Sequence, residues 1–247
     1  MIRKFFLYLL SLVFIPLFYL VLLVFHVVQV ICYNFISKKI HKQSVDLLNG
    51  TILKLLGLLG VRTKIELDLD LPVDKPIIIV SNHQSMFDIP MIVWYLRKLS
   101  PHFVSKQELG KGIPSISYNL RKGGSVLIDR ANRRESLVKI SEFAKRVYDN
   151  KETAVIFPEG RRSRDGKPLK YKTMGLKILI KQIKDGYVLP VTINNSWKIT
   201  AKGNFPLGGF TTLSLKVHSP VLIDPSKDSD QLIKQIETQI NESIKVE

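Results

Sequence analysis

A histidine and an aspartate stand five residues apart in the stretch SNHQSMFD, Ser81 to Asp88. Five residues of regular helix would turn their side chains about 140° apart. His83 and Asp88 can therefore meet only if His83 lies in a turn and Asp88 in the first turn of a helix. A carboxylate on one imidazole nitrogen fixes the tautomer and makes the other nitrogen a better base. The pair is a candidate for general base catalysis.

The spacing alone leaves a second interpretation open. Asp88 or Ser85 could cap a helix while His83 is an ordinary loop histidine. Pro90 supports a helix start here, because proline is tolerated early in a helix. A metal site is not expected, since no further histidine, cysteine or carboxylate cluster completes a ligand set.

Polar residues also follow two other apolar runs directly. Asp129 and Arg130 come after SVLI, and PEGRRSRDGK (158–167) comes after AVIF. In α/β folds, functional groups gather just past the carboxyl ends of strands. The shared placement of the three clusters therefore predicts one composite site.

Three arginines of the last cluster, Arg161, Arg162 and Arg164, indicate an anion site, because arginine forks match phosphate geometry bidentately. A solvated basic loop or a charged surface turn is the alternative for each cluster. Glu159 could hold one fork in place or accept a substrate hydroxyl. Gly160 allows a close approach of the backbone.

Short β-rich runs alternate with helical patterns after residue 61, which predicts a single α/β domain around a mainly parallel sheet. The predicted strands are RTKIEL (62–67), KPIIIV (75–80), HFVS (102–105), SVLI (125–128), AVIF (154–157), YVLPVTI (187–193) and TLSLKV (212–217). The predicted helices are DIPMIVWYLRKL (88–99), RESLVKISEFAKRVYDN (134–150), MGLKILIKQIKDG (174–186) and SDQLIKQIETQINESIKV (229–246). Gly186 is expected to end the third helix, and Pro190 indicates an edge strand or a bulge.

The N-terminal run from Phe5 to Cys32 carries no formal charge and exceeds the roughly 20 residues that span a bilayer as a helix. Pro16 near its centre permits a kink, so we expect a hydrophobic membrane helix or a helical hairpin. Basic residues after the run (38–42) outnumber those before it (3–4), which places the following domain on the cytoplasmic face of the membrane.

A second apolar segment, residues 45–61, has the spacing of an amphipathic helix, which could lie in the membrane interface or on the domain as a core helix. We therefore divide the chain into a membrane-anchoring helical segment, 1–61, and an α/β domain, 62–247.

The charge composition favours an anionic partner. Thirty-seven lysines and arginines against 21 aspartates and glutamates give a formal net charge of +16. Nucleic acid is not an expected partner, because the basic residues are spread widely and no aromatic stacking platform accompanies them. A single cysteine, Cys32, rules out an internal disulfide framework.

Four blocks together resemble one known family. NHQSMFD is similar to an N-H-x-x-x-x-D block, GSVLIDR to G-x-x-x-I-D-R, FPEGRRS to F-P-E-G-T-R-S, and VLPVTI to V-P-V-x-I. Their order, over roughly Lys75 to Ile193, resembles the glycerolipid acyltransferase family, in particular the 1-acylglycerol-3-phosphate acyltransferases. Arg161 stands where that family usually has threonine, which leaves open which arginine grips a phosphate.

The resemblance implies that Asp88 orients His83, which removes a proton from the sn-2 hydroxyl of 1-acylglycerol-3-phosphate. The implied donor is acyl-CoA or acyl carrier protein, the implied product is phosphatidic acid, and no cofactor or metal is implied. The substrate-binding residues implied are Arg130, Arg162, Arg161, Glu159, Gly160 and Lys106. Another lysolipid acceptor, such as a lyso-aminolipid, is the first alternative. A non-catalytic membrane protein that binds anionic lipid is the second.

Overall fold

The computed structural model describes residues 2–67 and 74–245, and within them eight strands form one sheet. The strands are β1 (Arg62–Glu66), β2 (Ile77–Ser81), β3 (Pro101–Lys106), β4 (Val126–Ile128), β5 (Thr153–Ile156), β6 (Tyr187–Asn194), β7 (Thr212–Val217) and β8 (Val221–Leu222). Their order is β1-β7-β6-β2-β5-β3-β4, with β8 beside β6. Every pairing is parallel except those of β6 with β7 and β8. The α/β fold with a mainly parallel sheet is confirmed.

Eight α-helices accompany the sheet in the same described residues. They are α1 (Ile2–Ile31), α2 (Lys38–Leu55), α3 (Asp88–Tyr95), α4 (Ile116–Lys122), α5 (Arg133–Asp149), α6 (Thr173–Gln182), α7 (Trp197–Thr200) and α8 (Ser229–Glu242). The short helices α4 and α7 are absent from the sequence-based expectations. Residue 246, the predicted end of the last helix, lies outside the described residues.

Strand β2 shows why helices cover both faces of the sheet. Successive side chains of a strand point to opposite faces. Ile77 and Ile79 pack in the core that contains the buried residues of α2 and α3, whereas Ile78 and Val80 pack in the core formed with α5, α6 and α8. All five residues of β2 are buried, as expected for a parallel strand between two helical layers.

Helix α1 continues through Pro16 without interruption, so the long N-terminal apolar helix is confirmed and Pro16 does not divide it into a hairpin. A proline inside a helix removes one backbone hydrogen bond. The rest of α1 keeps its helical conformation before and after Pro16. Lys4–Ile36 contains an 18-residue window with a mean hydropathy of 2.7 and is the one stretch, within the described ranges, long and apolar enough to cross a membrane.

One stripe of α1 packs against the rest of the protein along its whole length. Leu7, Phe14 and Leu22 are buried on it. Near the start of the helix, Ser11 Oγ accepts a hydrogen bond from Leu207 N at 2.9 Å. Towards its end, Ser115 Oγ donates to the carbonyl of Leu22 at 3.0 Å. The remaining surface of α1 exposes large apolar side chains.

Helix α2, which contains most of the predicted amphipathic segment, packs on the domain as a core helix. Leu48, Ile52 and Leu56 are buried in the same core as strand residues such as Ile77. Leu47 points the other way and is 58 % exposed. The helices before residue 62 thus share a core with the sheet. The division of the chain at residue 61 stays a prediction.

Pro190 does not lie in an edge strand, and this part of the prediction is wrong. Strand β6 is interior, with β2 on one side and the antiparallel strands on the other. Pro190 falls between the β6 residues that pair with β8 (187–188) and those that pair with β7 (191–194). Its carbonyl accepts from His218 N at 3.0 Å, in the link between those two strands. Proline has no N–H to donate, and Pro190 lies beside the gap between β7 and β8, where no N–H is needed for a regular strand pairing.

Gly186 does not end helix α6, which stops at Gln182. Gly186 instead lies against strand β2, and a Cβ added to it would come 2.3 Å from the carbonyl oxygen of Pro76. The glycine is needed for this close approach to β2 rather than for a helix cap.

Candidate active site

His83 and Asp88 are in direct contact. Strand β2 ends at Ser81, His83 lies in the following turn, and Asp88 is the first residue of α3. The Nδ1 atom of His83 lies 2.7 Å from Oδ2 of Asp88. The Asp88 side chain is fully buried, whereas the His83 side chain keeps 16 % of its surface exposed. The imidazole is therefore held on one nitrogen and accessible elsewhere.

Asp88 organises the turn before α3 and does not cap the helix. Its Oδ2 accepts hydrogen bonds from the backbone N–H groups of Gln84 at 2.6 Å and Ser85 at 2.9 Å. Both donors precede the first helical residue. Its other oxygen, Oδ1, accepts from the hydroxyl of Ser196. Ser85 Oγ accepts from Phe87 N at 3.1 Å, so this serine closes the turn itself.

Asn82 locks the end of β2 to the end of β6. Its amide nitrogen donates to the carbonyl of Ile193, and its amide oxygen accepts from Ile193 N, both at 2.8 Å. Because Asn82 immediately precedes His83, this reciprocal pair fixes where the histidine turn begins.

The loop after β5 packs directly on His83. The ring of Phe157 stacks on the imidazole, with centroids 4.2 Å apart and planes 18° apart. Ser163 N donates to the carbonyl of His83 at 2.7 Å. An aromatic face favours a positive charge above it, so Phe157 suits an imidazole that takes up a proton.

Glu159 belongs to this loop, and it is buried, with 2 % of its surface exposed. Burial raises the pKa of Glu159 to about 8, and the backbone N–H groups of Leu169 and His83 offset this only in part. Its Oε2 has no hydrogen-bond partner, and the residues described in the structure give the carboxyl no ion pair within 4.0 Å. The carboxyl group therefore faces the backbone of the site rather than an arginine fork.

Arg130 connects the loop after β4 to the loop after β5. A guanidinium nitrogen of Arg130 donates to the carbonyl of Gly160. Gly160 closes a turn through its N–H, which donates to the carbonyl of Phe157 at 3.0 Å. The φ of Gly160 is 68°, a left-handed conformation that favours glycine. The two clusters that the sequence placed in one site are thus joined.

Lys106 lies at the carboxyl end of β3, beside Ile128 of β4. Its ammonium group is 2.7 Å from the carboxylate of Glu108. Arg130 also acts electrostatically on Glu108 and lowers the pKa of that carboxyl, after the larger contribution of Lys106. Two cations therefore share one neighbouring carboxylate at this edge of the sheet.

Arg161 and Arg162 are exposed on the loop after β5. Neither makes an ion pair with a residue that the structure describes. The adjacent Ser163 ties them to the histidine turn through its bond to the His83 carbonyl. Their charges are thus presented to solvent next to the candidate base.

The sequence profile of the Acyltransferase family matches residues 62–194, which is more than half of the chain and includes every site residue predicted from the sequence. The chain belongs to the Acyltransferase family. Among the residues described, no cluster of three histidine, cysteine, aspartate or glutamate side chains could hold a metal ion.

Individual members of the Acyltransferase family are similar to this chain in sequence. A 1-acyl-sn-glycerol-3-phosphate acyltransferase from Helicobacter pylori is 35% identical over 127 residues, which are 49% of this chain and 50% of that protein. One from Chlamydomonas reinhardtii is 29% identical over 161 residues, 65% of this chain and 46% of that protein. The chain thus spans about half the length of these curated relatives.

The solved structure of one acyltransferase superposes on almost the whole chain. The crystal structure of the 1-acyl-sn-glycerophosphate (LPA) acyltransferase PlsC from Thermotoga maritima superposes with a TM-score of 0.79 and 28% sequence identity. The match includes 97% of this chain and 95% of that one. It therefore extends over the N-terminal helices as well as the acyltransferase domain.

Three residues whose side chains support the His83–Asp88 pair or its turn are missing from the candidates found by sequence. Ser196 lies 108 positions from Asp88, and no local pattern connects them. Phe157 and Asn82 stand inside the similar blocks, at positions that read as an apolar strand end and a turn residue. Only the fold shows that Phe157 stacks on the imidazole and that Asn82 joins the histidine turn to Ile193 of β6.

Proposed function

We propose that this protein transfers an acyl chain from a thioester to the sn-2 hydroxyl of 1-acylglycerol-3-phosphate, giving phosphatidic acid. The observation that carries the proposal is the 2.7 Å contact between Asp88 Oδ2 and His83 Nδ1, on an imidazole that remains partly exposed. Asp88 fixes the tautomer with the proton on Nδ1, so Nε2 is the nitrogen that receives the hydroxyl proton. The names of the similar proteins support this choice of reaction.

The reaction proceeds by direct attack. His83 Nε2 takes the proton of the hydroxyl as its oxygen attacks the thioester carbonyl, forming the C–O ester bond. The C–S bond then breaks, and the thiolate receives the proton from the imidazolium. Positioning two substrates side by side supplies much of the acceleration, and a well-placed base contributes about 10²–10⁴-fold.

The acceptor phosphate binds to the basic groups around the loop after β5. Arg130 and Arg162, helped by Arg161, supply guanidinium groups, and Lys106 adds charge at the end of β3. The Arg130–Gly160 bond supports this assignment, because it brings the loops after β4 and β5 together. Glu159, neutral at pH 7 because of its raised pKa, shapes the pocket from below without repelling a phosphate.

The protein acts at a membrane surface, with α1 partly immersed in one leaflet. The packed stripe from Leu7 to Leu22 supports an in-plane rather than a spanning helix, because a spanning helix would draw the attached domain into the hydrocarbon. The exposed side chains of α1 include Leu12, Leu20 and Val27, each more than half exposed. An interfacial position shortens the path of a single-chain lysolipid into the site.

We place the domain on the cytoplasmic face, because the lysines that follow α1 are attracted to the anionic lipids of the cytoplasmic leaflet. Lys38 and Lys39 are exposed. His41 does not add to this charge, because burial lowers its pKa. The positive surplus of the chain suits anionic lipid and either donor, the phosphates of acyl-CoA or an acidic acyl carrier protein.

Thiol release from acyl-CoA tests the proposal with purified protein in lipid vesicles. Release that depends on lysophosphatidic acid is expected from the wild type, and His83→Ala should lower it by about 10²–10⁴-fold. His102→Ala is the matched control, because His102 is similarly exposed (18 %) but lies at the amino end of β3. Equal turnover by wild type and His83→Ala would overturn the mechanism. Faster thiol release with a lyso-aminolipid than with lysophosphatidic acid would instead assign the alternative acceptor. Replacing acyl-CoA with acyl-loaded carrier protein in the same assay shows which donor the enzyme uses.

A further inference from the structure

The two oxygens of the Asp88 carboxylate have different partners. Three groups converge on Oδ2, namely His83 Nδ1 and the backbone N–H groups of Gln84 and Ser85. Within the described residues, Oδ1 accepts one hydrogen bond, from Ser196 Oγ. Asp88 and Ser196 are both completely buried. Water therefore cannot take the place of the serine hydroxyl at Oδ1 without a rearrangement.

The fold holds Ser196 in place from the opposite side of the site. Strand β6 ends at Asn194, and Asn195 takes a left-handed turn with φ 68° before α7 begins. The Asn82–Ile193 pair fixes this end of β6 against the start of the histidine turn. The hydroxyl of Ser196 consequently reaches Asp88 from a rigid turn.

We propose that Ser196 is a positioning residue for the acyl transfer, and this inference rests on the function proposed above. By binding Oδ1, Ser196 prevents the carboxylate from rotating about its Cβ–Cγ bond and so keeps Oδ2 directed at His83 Nδ1. The backbone N–H groups at Oδ2 restrain the same rotation, and the Ser196 hydroxyl adds a second point of attachment at the other oxygen. The orientation of the imidazole is thus set from β2 and α3 on one side and from the loop after β6 on the other.

Removing the hydroxyl leaves a buried carboxylate oxygen without a donor, and the carboxylate then turns towards its remaining partners. A serine that serves packing alone would change stability without changing the surroundings of the His83 Nδ1 proton. The NMR signal of that proton separates the two roles. It can be assigned by its loss in His83→Ala.

The test compares Ser196→Ala with Ser44→Ala, a matched control. Ser44 is also buried and its hydroxyl donates to a backbone carbonyl, that of His41, at 2.6 Å, but it lies on α2 outside the site. Ser196→Ala should lower kcat by about tenfold, which corresponds to roughly 1.4 kcal/mol, with KM for both substrates within about twofold. Ser196→Thr, which keeps the hydroxyl, should recover most of kcat. Ser44→Ala should keep the wild-type kcat.

The spectroscopic arm uses the same variants in micelles. The His83 Nδ1 proton signal should shift in Ser196→Ala, return towards its wild-type position in Ser196→Thr, and stay unchanged in Ser44→Ala. An unshifted signal in Ser196→Ala, or a kcat within twofold of wild type, would overturn the inference. If the wild type transfers no acyl chain, the proposed function fails, and the proton signal alone then decides whether Ser196 positions the pair.

Discussion

Replacing Glu159 with glutamine should abolish a pH dependence of stability that the burial of this carboxyl creates. Burial raises the pKa of Glu159 to about 8 in the folded protein, whereas its ordinary value is 4.5. Between these values the unfolded chain releases the proton and the folded chain retains it. The free energy of unfolding therefore falls as pH rises, from its full value below pH 4.5 to its lowest value above about pH 8. At about 1.36 kcal/mol for each pH unit, the total loss is about 5 kcal/mol.

Urea unfolding followed by the fluorescence of Trp94 and Trp197 measures this effect in micelles. The difference in unfolding free energy, Glu159→Gln minus wild type, should increase by about 4 kcal/mol between about pH 5 and about pH 9. Other titrating groups cancel in this difference. Glu142→Gln, at an exposed position on α5, is the control and should differ from wild type by a constant amount. A Glu159→Gln difference that is also independent of pH would refute the reasoning, because the carboxyl would then titrate normally.

Two further outcomes follow from the charged and apolar surfaces. Arg130→Ala and Arg162→Ala should each raise KM for the phosphorylated acceptor about tenfold, as expected for the loss of one charge-assisted hydrogen bond. Arg62→Ala, at an exposed position on β1, should leave that KM unchanged, and an unchanged KM in all three variants would argue against phosphate binding there. Leu20→Lys on the exposed face of α1 should weaken flotation with anionic vesicles, whereas Val138→Lys, at a similarly exposed position on α5 (52 % against 54 %), should not. Equal flotation of the two variants would contradict the assignment of α1 to the membrane.

Features that depend on neighbouring residues were predictable from the sequence. All seven predicted strands are present, because buried parallel strands leave a continuous apolar signal that polar clusters interrupt. The turn and the helix start that Pro90 marks allow His83 and Asp88 to meet, although the spacing alone left a capped helix beside a loop histidine as the alternative. These features depend on a few consecutive side chains, which the sequence displays directly.

Features that depend on distant partners were not predictable in the same way. Pro190 indicated an edge, but it lies in an interior strand because the neighbouring β7 and β8 are interrupted beside it. Glu159 stood among arginines in sequence, yet its carboxyl is buried against the backbone of His83 and Leu169. Ser196 carries no local signal, because its partner lies 108 residues away. Each outcome is set by which elements the fold brings together.

The central claim is that Asp88 acts through His83, and a double-mutant cycle on kcat for acyl transfer tests it most directly. His83→Ala and Asp88→Asn should each lower phosphatidic acid formation strongly. If the aspartate works only by orienting the imidazole, Asp88→Asn should cause no further loss of kcat in the His83→Ala background. Losses that multiply in the double variant would contradict the account, because the two residues would then act independently.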